Sequence, residues 1–191
     1  MRRLDLIVGP NGAGKTTFVE DILSVQLPAG IPFVNADKIA RQQWPEHPDA
    51  HAYDAAELAG RTRAKLIAAG ISFIAETVFS HPSKVQLVQV AKHSGYTVIV
   101  HVLLIPEDLA VRRVAYRAAA GGHDVPERKI RERYGRLWKN VAASVPLADA
   151  VIVYDNSHHR GPVIVAEFHG GMVARRLAWP EWTPQPLRAL H

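Results

Sequence analysis

The 191-residue chain contains no cysteine. This absence excludes a disulfide framework and any metal site built from thiolates. The chain also lacks long apolar runs: Val98–Ile105 is interrupted by His101 and is far too short to cross a bilayer. The opening segment Met1–Asp5 has no apolar core of the kind found in signal peptides. The sequence therefore predicts a cytoplasmic protein with no membrane role.

The charge is positive overall and unevenly distributed. The formal net charge is +5, and much of the positive charge falls in one stretch. That stretch contains Arg112, Arg113, Arg117, Arg128, Lys129, Arg131, Arg133, Arg136 and Lys139. Such a stretch is compatible with binding to a nucleic acid, and equally with an active site that handles phosphate groups. Composition alone leaves both classes open.

Short apolar segments alternate along the chain with segments of helical periodicity. The predicted strands are Leu4–Val8, Ile31–Asn35, Ser72–Ala75, Thr97–Ile105 and Ala150–Tyr154. Alternation of this kind predicts an α/β fold with a mostly parallel five-stranded sheet, because parallel strands need helical crossovers. Alternating residues at about 162–179 predict a C-terminal β-hairpin. We interpret residues 1–191 as a single domain.

A glycine-rich motif follows the first predicted strand. Residues Gly9–Thr16 fit the phosphate-loop pattern G-x-x-x-x-G-K-[ST], between a strand and a helix. Its backbone is predicted to wrap phosphate oxygens, while Lys15 reaches the β and γ phosphates and Thr16 coordinates Mg²⁺. Thr17 is placed to contact the α phosphate. The loop residues in this prediction are Gly9, Pro10, Asn11, Gly12, Ala13 and Gly14.

This motif makes the predicted fold a three-layer P-loop NTPase of the nucleotide-kinase type, with a helical lid. The sequence contains no Asn-Lys-x-Asp motif for guanine recognition, so ATP is favoured over GTP. The turn Asp155-Asn156-Ser157 after the fifth strand is a natural place for adenine, with Asn156 as its contact. A plain surface turn is the alternative interpretation.

Two carboxylates follow predicted strands, at the edge where ligands bind in parallel α/β sheets. Asp37 is a candidate for the base that accepts the proton of an attacking hydroxyl. It could instead serve as the N-cap of a helix beginning at Lys38. Glu76 could hold Mg²⁺ through a water or bind substrate hydroxyls, and a solvated strand-end glutamate is the alternative.

The basic stretch suggests a lid at about 118–133. Arg113 and Arg117 are one helical turn apart and precede the Gly121-Gly122 corner. Arg128, Arg131 and Arg133 follow that corner, where a closing segment could place some of them against the transferred phosphoryl group. For any single arginine, an ion pair on a solvated helix face is the alternative.

Four segments resemble the zeta toxin family of P-loop kinases, in particular its short proteobacterial-type members. They are Gly9–Thr17, Asn35-Ala36-Asp37, Ala75-Glu76-Thr77 and the stretch Arg113–Tyr134. Together they span roughly residues 4 to 157 of the chain. The phosphate loop is shared with many NTPases, whereas the order of aspartate, Glu-Thr and arginine lid is more particular.

The resemblance implies ATP-dependent phosphorylation of the amino-sugar hydroxyl of UDP-N-acetylglucosamine. It makes Asp37 the base, places Glu76 and Thr77 near the substrate, and implies an antitoxin protein as a partner. Family members use two lid arginines, of which Arg117 matches the first. The second position holds His123 and Asp124 here, so Arg128 or Arg131 is the candidate replacement, or His123 contacts a different substrate.

Three function classes follow from these features. The leading one is a kinase that moves the γ-phosphate of ATP, with Mg²⁺, to a hydroxyl of a small molecule. The second is a polynucleotide 5′-hydroxyl kinase or another nucleic-acid enzyme that uses the basic stretch, although a nucleic-acid partner is disfavoured. The third is a non-catalytic nucleotide switch.

Overall fold

A single β-sheet forms the centre of the molecule. The computed structural model describes residues 2–122 and 125–191, and seven strands in these ranges belong to one sheet. In chain order the strands are β1 (Arg2–Val8), β2 (Phe33–Val34), β3 (Phe73–Thr77), β4 (Tyr96–Leu104), β5 (Ala150–Asp155), β6 (Val163–His169) and β7 (Met172–Arg175).

Helices connect most of these strands. They are α1 (Lys15–Phe18), α2 (Ala36–Gln43), α3 (Ala52–Ala69), α4 (Ser83–His93), α5 (Glu107–Ala119), α6 (Glu127–Ser144) and α7 (Gln185–Arg188). Helix α1 continues directly into a π-helical turn at Val19–Leu23. None of the described helices is both long and apolar enough to span a membrane.

The strand order is β2-β3-β1-β4-β5-β6-β7. The first five strands of this order are mutually parallel, which confirms the predicted α/β fold with a parallel five-stranded core. The sheet has seven strands rather than five because the hairpin β6–β7 joins it, with β6 antiparallel to β5. Buried Val165, Ala166 and Phe168 make β6 part of the core.

Apolar side chains cover both faces of the sheet, as parallel strands require. On one face Leu4 and Leu6 belong to a cluster with Trp138 of α6 and residues of α3 and α4. On the other face Ile7 packs with Phe18 and with residues of α5. The result is the three-layer arrangement that the strand and helix pattern predicts.

The polar interruption of β4 has a buried partner. His101 is buried, and its Nε2 atom lies 2.9 Å from Oδ1 of Asp5 on the neighbouring strand β1. Asp5 also accepts two hydrogen bonds of 2.7 Å from the guanidinium of Arg3. This pairing explains how a central strand tolerates a histidine, since a buried polar group needs a hydrogen-bond partner.

Parallel pairing brings three chain segments to one edge of the sheet. Val8 at the end of β1 is opposite Thr77 at the end of β3, and β2 ends beside β3. The phosphate loop follows β1, Glu76 lies near the end of β3, and Asp37 comes shortly after β2, so all three lie at this edge. Strand β2 is shorter than the predicted Ile31–Asn35, and at its carboxyl end Asn35 already serves as the N-cap of α2.

Candidate active site

The phosphate loop turns tightly between β1 and α1. Gly12 and Gly14 have φ of +76° and +81°, a region that residues with a Cβ rarely adopt. At Gly12 a Cβ would also lie 2.8 Å from the carbonyl oxygen of Ala110 in α5. Glycine is therefore required at this position both for its backbone conformation and for the close approach of α5.

Lys15 lies at the centre of the site and is 7% exposed. Its Nζ donates a hydrogen bond of 2.9 Å to the carbonyl of Pro10 and is 3.9 Å from Oε1 of Glu76. Burial lowers the pKa of Lys15, although the charges of Glu76 and Asp37 act in the opposite direction. Negative charge in the loop would favour the protonated amine.

A hydroxyl, an amide and a carboxylate meet beside Lys15. Thr16 donates from Oγ1 to Oε2 of Glu76 at 2.8 Å, and Asn35 donates from Nδ2 to the same oxygen at 2.6 Å. The Oδ1 atom of Asn35 accepts a hydrogen bond of 3.1 Å from the backbone N–H of Lys38. Asn35 thus fixes the start of α2 and the position of the Glu76 carboxylate together.

The donor set fits Mg²⁺. The Thr16 hydroxyl and the Glu76 carboxylate are hard oxygen ligands, and Mg²⁺ in phosphate sites uses few protein ligands besides substrate phosphates and water. In residues 2–122 and 125–191, no group of three or more His, Cys, Asp or Glu is arranged to hold a metal. A site completed by substrate phosphates is the arrangement that these residues allow.

Replacing Asn35 with alanine is expected to lower the free energy of unfolding by about 2 kcal/mol. The variant loses a helix cap and a buried hydrogen bond to a charged group. Urea denaturation measures the difference, with Gln42→Ala on the exposed side of the same helix as the control. Equal stability of the two variants would contradict the structural role of Asn35.

Asp37 is in the first turn of α2, and the interpretation of Asp37 as an N-cap is wrong. The helix begins at Ala36, and Asn35 is its cap. The sequence Asn35-Ala36-Asp37 offers two residues that favour this position, and the earlier one occupies it. The Asp37 side chain is exposed and lines the same cavity as Lys15.

The cavity has a volume of about 910 Å³. It contains most of the residues that the sequence analysis selects around the loop and the strand ends. These are Asn11, Gly12, Gly14, Lys15, Thr16, Thr17, Asp37, Glu76, Thr77, Arg113 and Arg117.

The Asp155-Asn156-Ser157 turn packs directly against the phosphate loop. Asn156 donates from Nδ2 to the carbonyl of Ala13 at 2.8 Å. Arg113 donates to the carbonyls of Asn156 and Ser157 at 3.0 and 3.4 Å. Arg113 thereby holds the turn beside the loop, and adenine binding by Asn156 stays a prediction.

Two of the arginines that follow the Gly121-Gly122 corner do not line the cavity. Arg128 is paired with Glu132, and its side chain is 81% exposed. Arg131 is bonded to Glu127 and Asp108, and these hydrogen bonds raise its pKa. Neither arginine is among the residues that line the cavity. The predicted contact at His123 lies outside the described residues.

Several residues that line the cavity are absent from the sites predicted from the sequence, among them Asn35, Arg63, Lys84 and Lys129. Arg133, one of the arginines predicted for the lid, lines the cavity, and Lys129 lines it one turn earlier on α6. Arg63 does carry a sequence signal. It falls at a four-residue interval with Ala55, Ala59 and Ile67, so a charged residue occupies the buried stripe of α3.

Several solved structures share this fold. One, the AvrRxo1-ORF1:AvrRxo1-ORF2 complex with sulphate ions, has a TM-score of 0.73 at 18% identity and matches 93% of this chain. The chain spans 62% of the length of that protein. The same complex with ATP gives a TM-score of 0.61 at 17% identity, covering 91% of this chain and 60% of that one.

Two further structures come from named organisms. The PezAT chromosomal toxin–antitoxin system of Streptococcus pneumoniae gives a TM-score of 0.62 at 17% identity, covering 85% of this chain and 70% of that one. A suspected kinase from Chloroflexus aurantiacus gives a TM-score of 0.51 at 20% identity, covering 63% of this chain and 69% of that one. At sequence identities this low, the structural similarity shows a shared fold and nothing further.

Comparison with curated protein sequences gives no match. Comparison with family profiles gives one: a family described as an AAA domain matches residues 4–137, which is more than half of the chain. The matched range contains the phosphate loop, Asp37, Glu76 and the first part of α6. The chain is therefore a member of this AAA domain family, with a P-loop kinase-like α/β fold.

Proposed function

We propose that the protein is an ATP-dependent phosphotransferase that moves the γ-phosphoryl group to a hydroxyl of a small molecule. The observation that carries this proposal is one cavity lined by Lys15, Thr16, Glu76 and Asp37. A phosphate loop and a carboxylate that faces the same space are the two parts that phosphoryl transfer needs. The kinase-like fold and the similar complex with ATP agree with it.

Each residue has a defined task in this proposal. The loop amides and Lys15 hold the β and γ phosphates, and protonated Lys15 offsets the charge that develops on the leaving oxygen. Asp37 accepts the proton of the acceptor hydroxyl as that oxygen bonds to phosphorus. Arg117 and Arg113, on the cavity wall, are the candidates for neutralising the transferred group.

Thr16 and Glu76 are the proposed protein ligands of Mg²⁺. Bound there, the ion would neutralise charge on the β and γ phosphates. Asn35 has a supporting task in this arrangement, because its hydrogen bond orients the Glu76 carboxylate. Thr77, the next residue, lines the cavity and is a candidate contact for the acceptor.

UDP-N-acetylglucosamine is the leading acceptor. Its choice rests on the resemblance to the zeta toxin family and agrees with the similarity to the PezAT toxin–antitoxin system. The cavity of about 910 Å³ is near the upper end of the range for small-molecule sites, which suits a nucleotide and a large acceptor together. An antitoxin protein is the partner that the same resemblance suggests.

The test is phosphate transfer from γ-labelled ATP with Mg²⁺ to a panel of acceptors. The panel contains UDP-N-acetylglucosamine, other nucleotide sugars, nucleosides and a 5′-hydroxyl oligonucleotide. We expect label on the nucleotide sugar. Label on the oligonucleotide alone would replace this proposal with a polynucleotide kinase, and ATP binding without transfer would favour a nucleotide switch.

Replacing Arg117 with alanine is expected to lower kcat by about 10²-fold while changing ATP affinity much less. A cation that contacts the transferred group acts mainly in the transition state. Steady-state kinetics measure the rate, and a binding titration measures the affinity. Arg112→Ala, an exposed arginine of the same helix away from the cavity, is the control. Equal losses of rate and affinity would indicate ground-state binding instead.

A further inference from the structure

Arg63 is a buried cation without a counter-charge. It belongs to the buried stripe of α3, is 7% exposed and lines the large cavity. Within residues 2–122 and 125–191, its guanidinium has no hydrogen-bond or ion-pair partner. Burial alone lowers its pKa, with no nearby carboxylate acting in the opposite direction. Burying an unpaired charge is costly, so its retention in a cavity wall points to a ligand.

Lys84 adds a second positive charge to the same wall. It is in the first turn of α4 and lines the cavity together with Arg63. Burial lowers the pKa of Lys84, and the charge of Arg63 lowers it further. No carboxylate in the described parts of the chain pairs with Lys84. Two like charges thus face the same space without compensation.

Two of the three described acidic residues that line the cavity act on Lys15, and the third, Asp49, precedes α3. Glu76 and Asp37 both act on the pKa of Lys15, whereas no acid affects that of Arg63 or Lys84. The cavity therefore has an acidic part beside the phosphate loop and a basic part formed by Arg63 of α3 and Lys84 of α4. The phosphates of ATP belong to the loop, which leaves the basic part to the other substrate.

Hydrogen bonds hold the segment between the two parts at Phe79. Phe79 is fully buried with φ of +66°, a conformation that is strained for a bulky residue. Its N–H donates to Oγ1 of Thr77 at 3.2 Å, and its carbonyl accepts from Nδ2 of Asn140 at 2.9 Å. The loop that joins Glu76 to Lys84 is therefore fixed by bonds on both sides, which preorganises the wall for a ligand.

We propose that Arg63 and Lys84 form an oxyanion subsite that binds a phosphate or carboxylate group of the acceptor. This inference rests on the proposed function, in which the acceptor hydroxyl lies at Asp37. A guanidinium and an ammonium that line the same cavity match the donor types that bind phosphate and carboxylate groups. The acceptor is then an anionic molecule, held at one part of the cavity by its charge and phosphorylated at the other.

Binding of simple oxyanions tests the subsite without knowledge of the acceptor. Wild-type protein is saturated with Mg²⁺ and a non-hydrolysable ATP analogue, and inorganic phosphate or malonate is added in a calorimeter. We expect one oxyanion site that Arg63→Gln and Lys84→Gln each weaken at least about tenfold, because each removes hydrogen bonds from a charged donor. The anion that binds more tightly indicates whether the acceptor carries a phosphate or a carboxylate group.

Matched controls for Arg63→Gln exist on the same helix, α3. Arg61→Gln and Lys65→Gln remove exposed cations of α3 and are expected to leave oxyanion affinity unchanged. Both Gln variants at the subsite are expected to melt no lower than wild type, since each removes an uncompensated buried charge. Failure of wild-type protein to bind either anion, or undiminished binding in Arg63→Gln, would overturn the proposal.

The experiments can contradict the subsite proposal and the phosphotransferase proposal independently of each other. If no ATP analogue binds, the titration is repeated in Lys15→Met protein, which lacks the central cation of the phosphate loop. Oxyanion binding that still depends on Arg63 would then support the subsite while the phosphotransferase proposal falls. Where transfer is measurable, Arg63→Gln should raise the acceptor KM about tenfold and leave the ATP KM unchanged. An unchanged acceptor KM would overturn the subsite and leave the kinase intact.

Discussion

Lys15→Met protein is expected to lose phosphoryl transfer by about 10³-fold or more while remaining at least as stable as wild type. The rate falls because the loop loses the cation placed to hold the β and γ phosphates. Stability does not fall because protonated Lys15 is disfavoured by its own burial in the folded protein. Transfer assays and calorimetric melting of the same samples measure both quantities.

The pH dependence of stability provides a second measurement on the same variant. Burial lowers the folded-state pKa of Lys15 below the ordinary value of 10.5. At pH values between the folded-state pKa and 10.5, Lys15 is protonated in the unfolded chain but not in the folded protein. The free energy of unfolding therefore rises with pH in that window. We expect the stability of wild type relative to Lys15→Met to rise as pH increases towards 10.5. A relative stability that falls with pH would show that Glu76 outweighs burial.

Lys65→Met is the control for this prediction. Lys65 is exposed on α3, so its replacement should change neither transfer nor the pH dependence. Transfer retained by Lys15→Met would contradict the assignment of the phosphate loop. A large loss of stability would instead mean that the ion pair between Lys15 and Glu76, at 3.9 Å, compensates for burial.

The parts of the fold that depend on short segments could be predicted from the sequence. The phosphate loop is a local motif, and its glycines have the backbone conformations that the pattern requires. The alternation of strands and helices likewise indicated the parallel sheet. The attachment of β6 to β5 could not be predicted, because antiparallel pairing of the hairpin with the sheet depends on contacts between distant residues.

The N-cap of α2 shows why the exact start of a helix could not be predicted from the sequence. Asn35 and Asp37 both favour the N-cap position, and local propensity does not choose between them. In the structure, Asn35 is the cap and also donates a hydrogen bond to Glu76, a residue distant in sequence, which adds a contact that local propensity does not contain. A difference of two residues decides whether Asp37 caps the helix or is left facing the cavity.

For the basic stretch, the sequence likewise could not predict which side chains line the cavity. Arg128, Arg131 and Arg133 are all candidates from the sequence, and of these only Arg133 lines the cavity. Lys129, which is not a candidate, lines it as well. These residues alternate on one helix, so the orientation of α6 on the sheet decides which of them face the site. Arg63 was missed for a different reason: its helix is rich in alanine and contains no motif, and only its four-residue spacing from buried positions marks it.

Replacing Asp37 with asparagine is expected to lower transfer by about 10²- to 10⁴-fold and to leave ATP affinity nearly unchanged. Asparagine keeps the size of the side chain but cannot accept the proton of the acceptor hydroxyl. Asp37 does not cap α2, so the variant should also keep the stability of wild type. Single-turnover transfer from γ-labelled ATP, a nucleotide-binding titration and urea denaturation measure the three quantities.

The combination of these results separates the competing roles of Asp37. Asp21→Asn, an exposed aspartate in the turn that follows α1, is the matched control and should transfer phosphate at the wild-type rate. A loss of stability in Asp37→Asn would return Asp37 to a structural role at the start of α2. Normal stability with a normal rate would remove Asp37 as the base and leave Glu76 as the remaining carboxylate beside Lys15. Normal stability with a lost rate is the outcome that the geometry of the cavity favours, since the carboxylate is exposed, lines the same cavity as Lys15 and is not required by the helix.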